Sequence, residues 1–160
     1  MDSLIDSNIL AGVLTATELK NRSGLELLKA MADGLLPMPP MAKTLGFRLA
    51  EAETGRVIFR GEPQIEYYNP LGTVHGGWIA TLLDSCMGCA VHTTLPAGVL
   101  YTSLEFKIDM LAAITAETGP VTAEGHVTRS GKQVGVATGE LRDENATILA
   151  RGSTTCLIFR

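Results

Sequence analysis

The chain has 160 residues, of which 46% are hydrophobic and 19% charged, and its formal net charge is −4. This balance is typical of one folded domain with a real core and excludes an intrinsically disordered chain. The acidic charge argues against a nucleic-acid-binding protein, because contacts to phosphates need a basic surface.

No apolar run reaches the roughly 20 residues that a membrane-spanning helix needs, so we expect no membrane segment. The chain starts MDSLIDSNIL, with early acids and without the basic start of a secretory signal. Three cysteines, an odd number, suit free thiols in a reducing compartment. The sequence therefore predicts a cytoplasmic protein.

Cys86 and Cys89 form a Cys-x-x-Cys pair, which occurs in redox and metal sites. No second pair and no nearby histidine completes a zinc set. Cysteine is also a common core residue, so we expect both side chains to pack on a helix. No metal and no separate cofactor are predicted.

The first part of the chain predicts an extension ahead of the main domain. Residues 1–22 show little periodicity and are expected to form a loose arm. Ser23 can cap a helix that Gly34 and Pro37 end. We therefore divide the chain into an N-terminal arm and helix, residues 1–44, and a main domain, residues 45–160.

The main domain begins with a predicted hairpin and a long helix. Residues 46–63 alternate between apolar and polar side chains around the turn Glu-Thr-Gly. Asn69, Pro70 and Gly72 are turn residues, and an apolar helix follows from Gly76 to about Thr94. Because this helix is apolar on most sides, we expect it to be buried.

The remainder predicts strands separated by turns every 10–15 residues, which indicates an antiparallel meander. In the first of them Leu104, Phe106, Ile108 and Met110 share one face, and Thr102 belongs with them. The predicted fold class is α+β, with a curved antiparallel sheet wrapped around one long central helix and an N-terminal helical extension.

Asp84 is the single charge in the apolar run that follows Gly76 and Gly77. A buried charge is costly without partners, so Asp84 is either a structural carboxylate or a reactive group. The two glycines lie at the start of the helix, where free N–H groups and the helix dipole favour oxyanions and polarised carbonyls. The stretch thus combines a candidate electrophile-activating site with a candidate base or nucleophile.

These two groups cannot act together within one chain. Eight helical residues rise about 12 Å, whereas reacting atoms must lie about 3 Å apart. Two copies of the helix, antiparallel across a two-fold axis, would bring Asp84 of each copy to the helix start of the other. The sequence therefore predicts a homodimer at minimum, with shared sites.

The segment NPLGTVHGGWIATLLD, residues 69–84, resembles the hot-dog-fold acyl-CoA thioesterases of the PaaI type, which are associated with phenylacetate breakdown. The resemblance extends from about Leu45, with LGFRLAEAETGR, to Phe159, with LARGSTTCLIF. It implies a hot-dog fold, in which a sheet wraps a long central helix. It also implies hydrolysis of an acyl-CoA thioester to the free acid and CoA. We expect a homodimer at minimum and favour a homotetramer, and the sequence leaves dimer against tetramer open. Coenzyme A is then part of the substrate.

The resemblance implies a catalytic role for five residues. Asp84 matches the helix carboxylate that attacks the thioester or activates water, and the Gly76 N–H matches the donor to the carbonyl oxygen. Asn69 and His75 match polar residues that orient the thioester. Ser103 matches a hydroxyl that positions water, although strand alternation favours Thr102. A second set is expected to contact substrate: Gly77, Trp78, Thr102, Arg129, Ser130, Gly131 and Lys132, the last four forming a turn near the nucleotide.

Two other functions remain open at this point. A hot-dog hydratase or dehydratase would need an acid–base pair beside the acyl carbonyl, and the helix offers Asp84 without a convincing second group. A non-catalytic acyl-CoA-binding protein is the other alternative. A sensor that binds DNA would need a basic reading domain, and residues 1–44 are too short for one.

Overall fold

The computed structural model describes residues 10–160, and the predictions for residues 1–9 lie outside this part of the chain. Three short helices precede a hairpin, one long helix and four further strands, with short 3-10 helices at Ile65–Tyr67 and Ala116–Thr118. The helices are α1 (Ala16–Asn21), α2 (Gly24–Ala32), α3 (Pro40–Thr44) and α4 (Gly76–His92). The strands are β1 (Phe47–Glu53), β2 (Arg56–Gly61), β3 (Leu100–Met110), β4 (Val121–Ser130), β5 (Val134–Arg142) and β6 (Ile148–Phe159).

The six strands form one antiparallel sheet in the order β1-β2-β4-β5-β6-β3, and α4 packs on one face of it. This confirms the α+β class and the central helix. The predicted meander is wrong for β3, which pairs with β6 at the sheet edge and not with β4. The connection of residues 111–120 carries the chain from that edge to β4, across the N-terminal end of α4.

Glycines bring α4 into direct contact with the backbone of the central strands. A Cβ added at Gly125 in β4 would lie 2.3 Å from the carbonyl oxygen of Cys86, and one at Gly139 in β5 would lie 2.8 Å from Met87 Cγ. Cys86 and Met87 are themselves fully buried. The absence of side chains at these two strand positions therefore sets the distance between helix and sheet.

A β-bulge in β3 changes which side chains face α4. Ser103 pairs with Cys156 and Glu105 pairs with Thr155, so Leu104 is an extra residue between the two pairs. Before the bulge Ser103 faces the helix, while after it Phe106 shares a face with the buried Thr154. The uninterrupted alternation predicted for this strand is therefore wrong at Leu104 and Thr102.

The N-terminal segment is packed on the domain from residue 10 onwards, so the predicted loose arm is wrong for residues 10–22. Gly12 N–H donates to Met38 O at 2.9 Å, and Gly98 N–H donates to Leu19 O at 3.1 Å. Capping boxes begin both α1 and α2, and Ser23 caps α2 as predicted. In residues 10–160 no helix combines the length and the apolar character that a membrane crossing requires.

The contact of β4 with α4 yields a stability prediction. Gly125→Ala places a methyl group against the backbone of the helix, which cannot move without disturbing the core. We expect a loss of about 2–3 kcal/mol in the free energy of unfolding, measured by urea denaturation. In the control Gly12→Ala the nearest atom is Pro37 Cβ at 3.3 Å, and the loss should be under about 1 kcal/mol. Equal losses in both variants would contradict the argument.

Candidate functional site

The start of α4 presents one free backbone donor. His75 caps the helix, since its Nδ1 accepts a hydrogen bond from Gly77 N–H at 2.8 Å. Gly77, which was predicted to contact substrate, therefore has its N–H hydrogen-bonded within the chain. Among the described residues Gly76 N–H has no acceptor. Gly76 thus combines an available donor with the positive end of the helix dipole, as an oxyanion site requires.

Asn69 shapes the loop that precedes α4. Its Oδ1 accepts from Leu71 N–H at 2.8 Å, and its Nδ2 donates to Thr73 Oγ1 at 2.8 Å. The amide therefore holds the turn closed, which is the ordinary role of asparagine in such a loop. Asn69 nevertheless lines the same cavity as Gly76.

Asp84 lies in the middle of α4 and is half-buried. Ser103 Oγ donates to Asp84 Oδ1 at 2.7 Å, and within the described residues Asp84 has no ion-pair partner. The bulge at Leu104 produces this contact because it leaves Ser103, and not Thr102, on the helix side of β3. The structure thus brings Asp84 and Ser103 together.

The side chains of Trp78 and Thr102 do not contact Asp84 or Ser103. Trp78 is 3% exposed, its Nε1–H donates to Leu45 O at 2.8 Å and its ring stacks on Tyr67. Thr102 is exposed and faces away from the helix. Within one chain, Trp78 is therefore a core residue and Thr102 does not contact the helix carboxylate.

The turn of residues 129–132 lies at the opposite end of α4 from Gly76. Ser130 Oγ is 2.7 Å from Thr94 Oγ1, just beyond the helix. Arg129 and Lys132 line one hollow of about 410 Å³, and Lys132 lines an adjacent one with Arg160. The sequence analysis missed Arg160, because no pattern links the last residue of the chain to this turn.

A cavity of about 330 Å³ lies beside Gly76 and was also missed by sequence reasoning. It is open to solvent and is bordered by the loop before α4, the end of β3 and the connection that follows β3. A Cβ added at Gly76 would lie 2.6 Å from Met110 Cε, so the Met110 side chain covers this glycine. Small or branched apolar side chains form the far wall: Ile79, Leu111, Ala112, Ala113 and Ile114.

A further hollow of about 550 Å³ lies on the outer face of the sheet and is lined by charged side chains from four strands. Its acids and bases are mutually paired. Glu124 contacts both Arg56, at 2.5 Å, and His126, at 3.1 Å. Neither Gly76 nor Asp84 lines it, so this surface is separate from the candidate site.

The three cysteines are free thiols packed in or beside the core. Cys86 and Cys156 are fully buried, and Cys89 Sγ lies 3.8 Å from the hydroxyl of Tyr101. Burial raises the pKa of Cys89 to about 12 and also raises the pKa of Cys86. In residues 10–160 no group of three potential metal ligands occurs. Cys86 and Cys89 therefore pack on helix α4, as expected from the sequence.

Comparison with protein-family models matches residues 71–150 to the thioesterase superfamily. A protein of Halobacterium salinarum, provisionally named an esterase, is 30% identical over 72% of this chain and 82% of its own length. A protein of Saccharolobus solfataricus with the same provisional name is 29% identical over 83% of this chain and 93% of its own length.

Solved structures with the same architecture include two proteins whose names refer to phenylacetic acid degradation. A provisional thioesterase of Ralstonia eutropha superposes with a TM-score of 0.74 at 26% identity, over 82% of this chain and 98% of that one. The PaaI protein of E. coli gives a TM-score of 0.74 at 22% identity, over 89% and 96% of the two chains.

The packing of the thiols yields a reactivity prediction. Because the thiolate is the reactive form and the pKa of Cys89 is about 12, about one molecule in 10⁴ carries that thiolate at pH 8. We expect native protein to react with a thiol-specific chromogenic disulfide far more slowly than the same protein in guanidinium chloride, which should release three equivalents, one for each of Cys86, Cys89 and Cys156. Rapid labelling of native protein would contradict this account.

Proposed function

The chain belongs to the thioesterase superfamily, and on that basis we propose that it hydrolyses acyl-CoA thioesters at a site made from Gly76 of one subunit and Asp84 of another. The family match, the two esterase relatives and the thioesterase structures make it a thioester hydrolase with the hot-dog fold. The resemblance to PaaI-type thioesterases found in the sequence is thereby confirmed. The acyl-CoA substrate, the residue roles and the assembly belong to the proposal.

The free Gly76 N–H is the observation that carries the proposal. In thioester hydrolysis the carbonyl oxygen gains negative charge as the tetrahedral intermediate forms. A preorganised backbone donor at a helix N-terminus stabilises that charge. Because Gly76 has no side chain, a thioester can approach this N–H closely.

Asp84 supplies the attack on the carbonyl carbon, either directly or by taking a proton from water. Ser103 donates to Oδ1, which holds the carboxylate in place and leaves Oδ2 available for substrate or water. The products are the carboxylic acid and the free thiol of CoA, with water providing the added oxygen and two hydrogens. Ser103 is therefore a positioning residue in this scheme.

Strand β3 supports assembly through a second copy of the chain. It is the edge of the sheet beside β6, and it is 11 residues long. Leu104, Phe106 and Met110 on this strand are 59%, 46% and 52% exposed. A long apolar edge strand would promote aggregation unless it is paired. Antiparallel pairing of two β3 edges would extend the sheet and set two α4 helices side by side in opposite directions.

This two-fold arrangement also provides a place for the nucleotide of CoA. In one chain the basic turn of residues 129–132 and Gly76 lie at opposite ends of α4, about 25 Å apart for a 17-residue helix. Reversing the partner helix brings its basic turn towards the Gly76 end. Arg129, Lys132 and Arg160 can then meet the phosphates while the thioester reaches Gly76. We expect homodimers as the minimal unit and retain the homotetramer and the cytoplasmic location as predictions.

Asp84→Asn tests the role of the carboxylate. The amide keeps the shape of the side chain but can neither attack nor accept a proton, so kcat should fall about 10²–10⁴-fold. Release of free thiol from acyl-CoA measures it, with Asp33→Asn, an exposed carboxylate at the end of α2, as the matched control. Near-normal turnover by pure, folded Asp84→Asn protein would rule out the mechanism.

The same assay separates the alternative functions. A hot-dog hydratase or dehydratase would convert enoyl-CoA or hydroxyacyl-CoA without releasing thiol. A non-catalytic binding protein would bind acyl-CoA and convert none of these substrates. Thiol release that depends on Asp84 supports hydrolysis over both.

Mixed dimers test whether the site is shared. Gly76→Val is expected to be inactive because its side chain blocks close approach of the thioester to the N–H of residue 76. A dimer of one Gly76→Val chain and one Asp84→Asn chain has one doubly altered site and one intact site. Dissociating and reassociating equal amounts should restore up to about a quarter of wild-type activity per protomer, since about half the dimers are mixed.

Mass spectrometry of differently tagged chains checks that the subunits have exchanged. If mixed dimers form and no activity returns, each active centre lies within one chain. That result would contradict the shared site while leaving thioester hydrolysis intact.

A further inference from the structure

We propose that the hydroxyl of Thr154 directs Ser103 towards Asp84, because it holds the β-bulge of β3 from the neighbouring strand β6. The role rests on the proposed function, in which Ser103 keeps the attacking carboxylate of Asp84 in place. Thr154 is then a positioning residue, which acts on the reaction only through β3.

Thr154 is a polar residue buried in the core face of the sheet. It is 1% exposed, and in residues 10–160 Thr93, at 5%, is the only other polar residue buried to a similar degree. The Oγ1–H of Thr154 donates to Glu105 O at 2.7 Å. A buried hydroxyl is costly without a partner, and Thr154 has little access to water that could replace this carbonyl. The hydrogen bond is therefore a fixed connection between the side chain of β6 and the backbone of β3.

This hydrogen bond reaches β3 directly beside the bulge. Leu104 is the extra residue of the bulge, and Glu105, whose carbonyl accepts the bond, follows it in the chain. Among the described residues no other side chain of β6 donates to the backbone of β3. Because β3 is an edge strand, β6 is its one neighbour in the described sheet. The hydroxyl of Thr154 thus adds to the ladder at the point where the extra residue disturbs it.

The bulge decides which side chain of β3 faces Asp84. After the bulge, Ile108 packs against the core on the helix side of the strand. Strict alternation back from Ile108 would place Thr102 on that side and Ser103 on the outer side. The extra residue at Leu104 lets Ser103 donate to Asp84 Oδ1 at 2.7 Å while Ile108 stays packed. An interaction that stabilises the bulge therefore also stabilises the contact between Ser103 and Asp84.

Replacing the hydroxyl of Thr154 by a methyl group removes this hydrogen bond and keeps the shape of the side chain. In Thr154→Val the carbonyl of Glu105 loses a donor, and the bulge loses its side-chain support from β6. The strand is then free to return towards regular alternation, which directs Ser103 away from Asp84. Thr154→Ser keeps the hydroxyl and loses only a methyl group, so the hydrogen bond should persist.

The test measures kcat and KM for thiol release, with the one of acetyl-, octanoyl-, palmitoyl- and phenylacetyl-CoA that the wild type hydrolyses fastest. Ser103→Ala should lower kcat about 10- to 100-fold, as expected for loss of a hydrogen bond to a charged group. Thr154→Val should lower kcat about fivefold or more, with KM changed less than about twofold, since the surface that binds the substrate is unaltered. Thr154→Ser should retain most of the wild-type kcat.

The double variant shows whether Thr154 acts through Ser103. Ser103→Ala combined with Thr154→Val should be no more than about twofold slower than Ser103→Ala alone, because the contact that Thr154 supports is already lost; independent effects would multiply. Thr93→Val is the matched control, since the buried hydroxyl of Thr93 donates to Ala90 O at 2.6 Å, beyond the far end of α4 from Gly76. It should lower the midpoint of urea unfolding, as Thr154→Val does, but leave kcat within about twofold of the wild type.

Three results would overturn the role of Thr154 and leave thioester hydrolysis standing: a wild-type kcat in Thr154→Val, a Thr154→Ser variant as slow as Thr154→Val, or losses that multiply in the double variant. If Thr154→Val does not fold, Thr154→Ala removes the same hydroxyl without filling its place and is judged by the same results. An unchanged kcat in Ser103→Ala would overturn the roles of Ser103 and Thr154 together. Failure of the wild type to release thiol from any of the four substrates would instead overturn the proposed acyl-CoA hydrolysis.

Discussion

The direct contact between α4 and the backbones of the central strands is the constraint on which the rest of the molecule depends. Gly125 and Gly139 admit the helix so closely that an added methyl group at either position would meet Cys86 or Met87. The buried side of the helix is therefore fixed in rotation. Gly76, Ala80 and Asp84, one helical turn apart, are left on the side that faces edge strand β3. On that strand, Met110 lies beside Gly76 and Ser103 donates a hydrogen bond to Asp84.

A rigid helix placed in this way separates the two reactive groups by about 12 Å. No side-chain movement closes that distance, because one group is a backbone N–H at the helix start and the other is a carboxylate two turns later. In the proposed dimer, a second copy added at the β3 edge would supply the missing half of each site. Packing against the sheet, the proposed assembly and the proposed catalysis would then all depend on the same helix.

The sequence predicted the helices and strands of the main domain better than their connections, and its pairing of Asp84 with Ser103 matches a contact in the structure. Periodicity located α4 and all six strands, because apolar side chains that face one core must recur at helical or strand spacing. The placement of β3 was wrong because turn spacing does not record which strands pair. The bulge at Leu104 was also missed. It reconciles the family resemblance, which favoured Ser103, with the alternation, which favoured Thr102.

The positions of Met110 beside Gly76 and of Arg160 beside Lys132 were beyond sequence reasoning, because these segments meet only in the folded chain. Trp78 was predicted near the substrate from its place in the first turn of α4, but its side chain packs against Leu45 and Tyr67. Position along a helix does not by itself show which side of the helix is accessible to substrate. The N-terminal segment showed no periodicity in the sequence because α1 is only about one and a half turns long. This short helix begins with a capping box and is held to the domain by a backbone hydrogen bond.

The most direct measurement is a crystal structure of the protein with a CoA analogue whose thioester sulfur is replaced by a methylene group, so that the ketone cannot be hydrolysed. The account predicts that the ketone oxygen accepts a hydrogen bond from Gly76 N–H at about 3 Å, with Asp84 of the partner subunit on the other side of the carbonyl carbon. A ketone bound away from Gly76, or a carbonyl carbon reached by a carboxylate of the same chain, would contradict it.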